Sequence, residues 1–170
     1  KRGSREEKLK AMKDGASGPA GVTAIVFTIL IKYILIKKLV EMPQFGLFLI
    51  AMLPVLSRWA MAVSMYRGKP ARPDGIGKLL MEGATSARTF TATATAFILF
   101  SAAAAFVMKG GGGFIFFTVM MVSVYIFMVF MGRFFDRHFG GMTGDTAGAT
   151  GELTEIFYLF GATIWLKNFS

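Results

Sequence analysis

Five separated runs of apolar side chains constrain this chain more than any other feature. They fall at about residues 21–40, 45–66, 89–108, 114–132 and 153–166. A helix needs about 20 mostly apolar residues to cross the hydrocarbon core of a bilayer. The first four runs have that length. The fifth reaches it if its helix begins earlier, inside the glycine- and threonine-rich stretch before it, since glycine is tolerated where another helix packs closely. The expected fold is therefore all-α: a polytopic integral membrane helix bundle with about five transmembrane helices. It reads as a single membrane domain over residues 1–170, with 1–20 a cytoplasmic amphipathic helix and turn and 21–166 the transmembrane helices.

Composition supports that expectation. The chain is 54% hydrophobic with a mean hydropathy of +0.56, and the excess lies in the runs of Phe, Met, Ile, Leu and Val. There is no cysteine, which excludes a disulfide framework and a cysteine-ligated metal. The net charge of +9 would suggest nucleic acid in a soluble protein. In a membrane protein it reflects Lys and Arg in the cytoplasmic loops.

The placement of those charges gives a topology. One side holds Lys1, Arg2, Arg5, Lys8, Lys10 and Lys13 before the first run. It also holds Arg67, Lys69, Arg72, Lys78 and Arg88 between the second and third, and Arg133 and Arg137 between the fourth and fifth. The other side holds only Lys37, Lys38, Lys109 and Lys167. The positive-inside rule puts the first set in the cytoplasm. Asp14, Asp74, Glu82, Asp136 and Asp145 share that side, so a polar site should open there. The chain opens on charged residues, KRGSREEKLKAMKD, and no small-residue cleavage site follows the first run, so a signal peptide is not read. The sequence is expected to be the C-terminal two-thirds of a longer chain.

The stretch GGMTGDTAGATGELTE, residues 140–155, places three acids between two hydrophobic runs. On a helix turning by about 100° per residue, Gly141, Gly144, Gly148 and Gly151 form one stripe, and Glu155 continues it. Asp145 and Glu152 share one flank, about 10 Å apart, and Thr143, Thr150 and Thr154 lie on the other. A tight helix-packing face explains the glycines and threonines. It does not explain the acids, because a carboxylate at membrane depth is costly and usually marks function. Carboxylates beside a bare glycine backbone suit a divalent cation and a phosphorylated ligand.

Other polar residues are weighed the same way. Arg58 follows Pro54 in the middle of the second run; a buried arginine pairs with an acid or with a bound phosphate. Lys32 reads as snorkelling outward. Lys13 precedes a Gly/Pro turn, which is either a simple connection or an approach for phosphate. The loop YRGKPARPDGIGKLL is either substrate-facing or merely inside-positive. His138 is the lone histidine and reads as interfacial rather than catalytic, and KGGGG from Lys109 reads as a tight outer turn.

These residues carry a resemblance. Gly140, Gly141, Thr143, Gly144, Asp145, Gly148, Ala149, Glu152 and Glu155 match the pattern G-G-x-T-G-D-x-x-G-A followed by E-x-x-E. That pattern resembles the C-terminal signature of the cobalamin synthase family, the adenosylcobinamide-GDP ribazoletransferases. REEKLKAMKD with Gly18 and Gly21 is similar to the family's R-x-x-x-L-x-x-M-K-D-x-x-x-G-x-x-G, and Arg58 and ARPDGIG stand in the expected order. Gly15 and Ala16 depart from the polar pair the family often carries after M-K-D. The family's acidic motif, D-G-x-x-D-x-x-D-G, would lie before Lys1, and with it the main metal ligands.

The resemblance implies a late step of cobalamin (vitamin B12) biosynthesis. A hydroxyl of α-ribazole, or of its 5′-phosphate, attacks the phosphoanhydride of adenosylcobinamide-GDP. GMP leaves, and adenosylcobalamin or its phosphate is formed, with Mg²⁺ as cofactor. Carried onto this chain, the resemblance makes Asp145 the catalytic residue and an additional metal ligand. It makes Lys13, Asp14, Arg58, Thr143, Gly144 and Glu152 substrate contacts. Glu152 and Glu155 alternatively hold the bundle. The partners implied are the two substrates and the lipid bilayer, with a homo-oligomer open and nucleic acid excluded. Two other classes compete on the residues alone. A transporter or ion-pathway subunit would use the intramembrane acids and arginine, although no internal repeat is evident. An assembly subunit would use the glycine face only to bind helices.

Overall fold

The computed structural model describes residues 3–15, 18–42, 45–107 and 112–169. Among them the regular elements are helices: α1 Arg5–Lys13, α2 Pro19–Val40, α3 Gly46–Arg67, α4 Ile76–Gly83, α5 Ser86–Val107, α6 Gly112–Phe139 and α7 Gly144–Phe169. Inside a bilayer no water is available to the backbone, so each crossing segment must satisfy its own peptide groups as a helix. Three helices, α2, α3 and α6, are long and apolar enough to cross a membrane, with mean hydropathies of 2.0, 1.8 and 2.5 over their most apolar stretches. The five expected runs correspond to the five long helices. Of these, α5 is diluted by Ala and Thr, and α7 by Gly and its three acids. Lys1, Arg2, Ala16 and the 109–111 part of the outer turn lie outside the described residues, and Gly112 opens α6.

Local signals set the ends of these helices. Ser4 and Glu7 form a reciprocal capping box at α1, with the Ser4 hydroxyl 3.3 Å from the Glu7 amide and the Glu7 carboxylate 3.1 Å from the Ser4 amide. Pro19 starts α2 at a position where a missing N–H costs nothing. Unlike the long helices, α1 is charged on most of its faces and buries none of its residues. Two further differences concern length. The loop after α3 contains α4, and α6 continues seven residues past Gly132 to Phe139.

Packing centres on α3, which touches α2, α4, α5, α6 and α7. Leu49, Leu53, Leu56, Trp59, Ala60 and Val63 are buried along it. They meet Ala96 and Phe100 of α5, Phe116, Phe117, Val124 and Met128 of α6, and Tyr158, Leu159, Ala162 and Leu166 of α7. Side-chain hydrogen bonds cross between helices at this depth, as they do where lipid offers no partner. The Trp59 indole donates to the Thr93 hydroxyl at 3.0 Å, and the Ser57 hydroxyl to the Gly151 carbonyl at 3.3 Å. Pro54 removes one N–H from the α3 ladder, and in that weakened turn the Tyr158 hydroxyl donates to the Leu49 carbonyl at 3.0 Å.

Glycine permits close approach at specific places on this bundle. A Cβ at Gly46 would overlap the Leu39 carbonyl oxygen, and one at Gly151 would sit 2.9 Å from the Met61 sulfur. The expected stripe along α7 is only partly such a face. Gly141 lies before the helix, and a Cβ at Gly144 or Gly148 meets nothing within 4 Å. The glycine face thus packs against α3 at Gly151 and opens toward the helix start.

The two kinds of glycine should respond differently to substitution. Gly46→Ala should lower thermal stability by at least the roughly 1–3 kcal/mol typical of overpacking, since its obstacle is backbone. Gly148→Ala should be neutral, or stabilising by up to about 1 kcal/mol, because alanine is the better helix former and has room. Parallel melting curves in detergent check this, and equal losses would mean that α7 is closed at Gly148.

Candidate functional site

One end of the bundle gathers α1, the loop between α3 and α4, and the turn into α7. These are the segments that the charge count places on one side. Two backbone hydrogen bonds knit them: Met142 donates to the Lys69 carbonyl, and Ala71 donates to the Met142 carbonyl, both at 2.8 Å. This parallel bridge needs a bare backbone beside it. Gly141, at φ +152°, lies so close to residues 69–71 that a Cβ would overlap the Lys69 carbonyl oxygen. Gly140, at φ +74°, leaves its Cβ position to the Arg5 guanidinium. Arg5 in turn donates to the Ala71 carbonyl at 3.1 Å, and Arg72 donates to the Leu9 carbonyl at 2.5 Å. Each arginine ties α1 to the loop. A Lys13–Asp74 ion pair at 3.7 Å, well exposed, adds a weaker contact.

Above this knot lies a cleft of about 380 Å³ lined by Arg72, Asp74, Gly75, Gly77, Lys78, Thr143, Gly144 and Asp145. Two helix starts border it. Gly77 of α4 approaches so closely that a Cβ there would be 2.7 Å from the Gly144 nitrogen. The start of α7 is fixed by a threonine pair: the Thr143 amide donates to the Thr146 hydroxyl at 2.8 Å, and the Thr146 amide to the Thr143 hydroxyl at 3.2 Å. First-turn amides and two cations make this a setting for phosphate oxygens. Asp74 and Asp145 supply the oxygen donors a hard cation prefers. Among the described residues no cluster of three or more acids or histidines forms.

The residues singled out in the sequence therefore divide. Thr143, Gly144 and Asp145 line the cleft, with Asp145 exposed in the first turn of α7 and Thr143 buried as its cap. Lys13 reaches the cleft edge through Asp74, while Lys13 and Asp14 line a neighbouring cavity against α6. Asp74, Arg72 and Lys78 belong to the cleft, and in the sequence only the YRGKPARPDGIGKLL loop and the charge count pointed to them. Glu152 lies deeper, seven residues along α7 from Asp145. There Lys32 of α2 bonds both Glu152 and Glu155, at 2.6 and 2.5 Å. Lys32 thus does not snorkel outward: its side chain is 18% exposed and faces α7. Arg58 is not buried either. It is exposed in mid-α3, its guanidinium reaches the Met61 sulfur at 3.5 Å, and no carboxylate pairs with it among the described residues.

The comparisons bear on what this arrangement belongs to. A family model for cobalamin-5-phosphate synthase matches residues 1–163, which contain the whole cleft. The chain belongs to the cobalamin-5-phosphate synthase family. It is 33% identical over 166 residues to the adenosylcobinamide-GDP ribazoletransferase of Thermodesulfovibrio yellowstonii, covering 95% of this chain and 61% of that one. It is 31% identical over 156 residues to the enzyme of the same name from Escherichia coli K12, covering 92% and 60%. The Fusobacterium nucleatum relative of that name is 29% identical over 169 residues, covering 92% and 61%. This chain thus spans about 60% of the length of the relatives it matches. No solved structure matches it. In this member of the family, the glycine-rich signature makes both the bridge at residues 140–142 and one wall of the cleft.

Lys32→Met should separate the deep cluster from the cleft. It leaves two carboxylates without their cation, a loss of about 3–5 kcal/mol for a fully buried pair. With Glu152 56% exposed, the lower end is expected. Adding Glu152→Gln and Glu155→Gln to the same variant should restore most of the lost melting temperature. A triple variant no more stable than Lys32→Met would show that the lysine acts through something other than charge.

Proposed function

We propose that this chain forms the cytoplasm-facing site of an adenosylcobinamide-GDP ribazoletransferase at the prokaryotic plasma (inner) membrane. The observation that carries the reading is the cleft itself. Asp74 and Asp145 stand among Arg72, Lys78 and two helix starts, in a chain of the cobalamin-5-phosphate synthase family. A hydroxyl of α-ribazole, or of its 5′-phosphate, attacks the phosphorus bound to the cobinamide. A new P–O bond forms there, the anhydride P–O bond breaks, and GMP departs. Such transfer depends on positioning and charge neutralisation more than on covalent chemistry.

In this reading Arg72, Lys78 and the first-turn amides of α4 and α7 hold phosphate oxygens. Asp145 orients the attacking hydroxyl, and Asp74, already paired to Lys13, draws α1 and Asp14 toward the bound substrate. Magnesium, when bound, would neutralise the pyrophosphate. Asp74 and Asp145 would hold it, a donor set that fits a cation taking one or two carboxylates and otherwise water and phosphate. Gly144 contacts substrate through its first-turn amide, and Thr143 positions that amide, since the Thr143 hydroxyl and amide are both paired with Thr146. Arg58, whose guanidinium has no carboxylate partner among the described residues, contacts a deeper anionic group. Glu152 stays with Lys32 as support for α7.

A transporter would string its charges through the membrane. The intramembrane groups do not do so: Lys32, Glu152 and Glu155 close on one another at one depth.

Two substitutions test the proposal in the full-length protein. Asp145→Asn keeps size and loses charge, so GMP release should fall on the order of 100-fold with an unchanged melting temperature. Normal turnover, or a loss explained by unfolding, would remove Asp145 from the chemistry. Arg58→Ala should raise KM for the phosphorylated substrate about tenfold or more, as expected for a lost charge-assisted contact, with little effect on melting. A large drop in stability with unchanged KM would make Arg58 structural.

A further inference from the structure

A second cavity, of about 1000 Å³, lies between α1 and the last turns of α6, lined by Lys8, Lys10 and Lys13 on one wall and by Phe134, His138 and Phe139 on the other. Its depth follows from helix length. The 28 residues of α6 span roughly 42 Å at 1.5 Å each, against about 30 Å of hydrocarbon. The apolar part ends near Gly132, so Phe134, His138 and Phe139 stand at the level of the lipid headgroups. Of the five charged side chains lining the cavity, the Glu7 carboxylate caps α1 and Lys13 pairs with Asp74, which leaves Asp14 against Lys8 and Lys10, a net positive charge. Lys8 and Lys10 have no carboxylate within ion-pair distance among the described residues. Below the cavity an exposed apolar ridge, Val122, Ile126, Phe130 and Phe134, runs down α6 into the bilayer at four-residue spacing. The His138 ring stacks on Phe134 at the top of that ridge, with centroids 4.1 Å apart.

Cations at headgroup height, joined to an apolar track leading into the membrane, match one kind of molecule. We infer that this cavity binds an anionic phospholipid, its phosphate between Lys8 and Lys10 and an acyl chain along the Val122–Phe134 ridge. A basic pocket beside a membrane helix is a recognised setting for acidic headgroups, and interfacial aromatic rings sit at that level. The ridge distinguishes this occupant from a soluble phosphate compound, which would leave it unused. The inference does not depend on the reaction proposed above, because neither Lys8 nor Lys10 lines the cleft.

The test measures lipid retained by the full-length protein, purified in neutral detergent and exposed to phosphatidylglycerol or phosphatidylcholine, by native mass spectrometry. Phosphatidylglycerol should be retained in preference to phosphatidylcholine. Lys8→Gln with Lys10→Gln should reduce that preference by about tenfold or more at low salt. Lys8→Arg with Lys10→Arg should keep it. Because α1 buries no residue, the melting temperature in phosphatidylcholine should be the same for all three proteins. Inorganic phosphate and GMP form the competing arm and should leave the bound lipid in place. Displacement by either would assign the lysines to a free phosphate ligand and overturn the lipid assignment. Equal retention by the glutamine variant, or no preference between the lipids, would also overturn it.

Discussion

A hydrocarbon slab gives a peptide group nothing to bond, and the whole architecture follows from that constraint. Chain that crosses it is helical. Chain that bends, bulges or exposes backbone is pushed to the ends of the bundle. The positive-φ glycines at 15, 75, 140 and 141 all lie at the end that carries the cleft. Irregular backbone is what brings amides and carbonyls close to a ligand, so polar chemistry collects where the membrane stops.

The last helix has two jobs along its length. Its first turn faces the cleft, fixed by the Thr143–Thr146 pair, and its middle is tied to α2 through Lys32 and to α3 through Ser57. Ion pairs contribute little at exposed surfaces and more where water is scarce. The Lys32 cluster is deep enough to hold α7 in place, and any tilt of that helix would move Asp145 directly. The ion-pair support and the cleft wall therefore share one rigid element, separated by about 10 Å of helix.

Much of this was legible from sequence, for physical reasons. Apolar run length located the long helices, because lipid thickness is a fixed ruler. Basic residues sorted the loops, and residues 3–15, 68–75 and 140–143 do meet at one end. The family signature led to Asp145, Thr143 and Gly144. What sequence did not yield depends on neighbours. Lys32 looks like a snorkelling lysine until Glu152 and Glu155 arrive from a helix 120 residues away. Gly148 looks like a contact glycine, but whether a methyl fits depends on what stands opposite, and nothing does. Arg58 carries no local mark of its exposure. Arg5 was marked only by the pattern R-x-x-x-L-x-x-M-K-D and by its charge, since its structural role exists only once Gly140 and Ala71 are beside it.

The bridge between Met142 and residues 69–71 has a consequence for biogenesis. Membrane helices enter the bilayer in the order in which they are made, and here the first and last described helices contribute to the same end. Arg5 has no Gly140 to rest against, and the loop after α3 has no Met142 to pair with, until α7 is in place. The cleft therefore forms only once α7 has joined α1 and the loop after α3. Intermediates that lack α7 hold fragments of the cleft without its geometry.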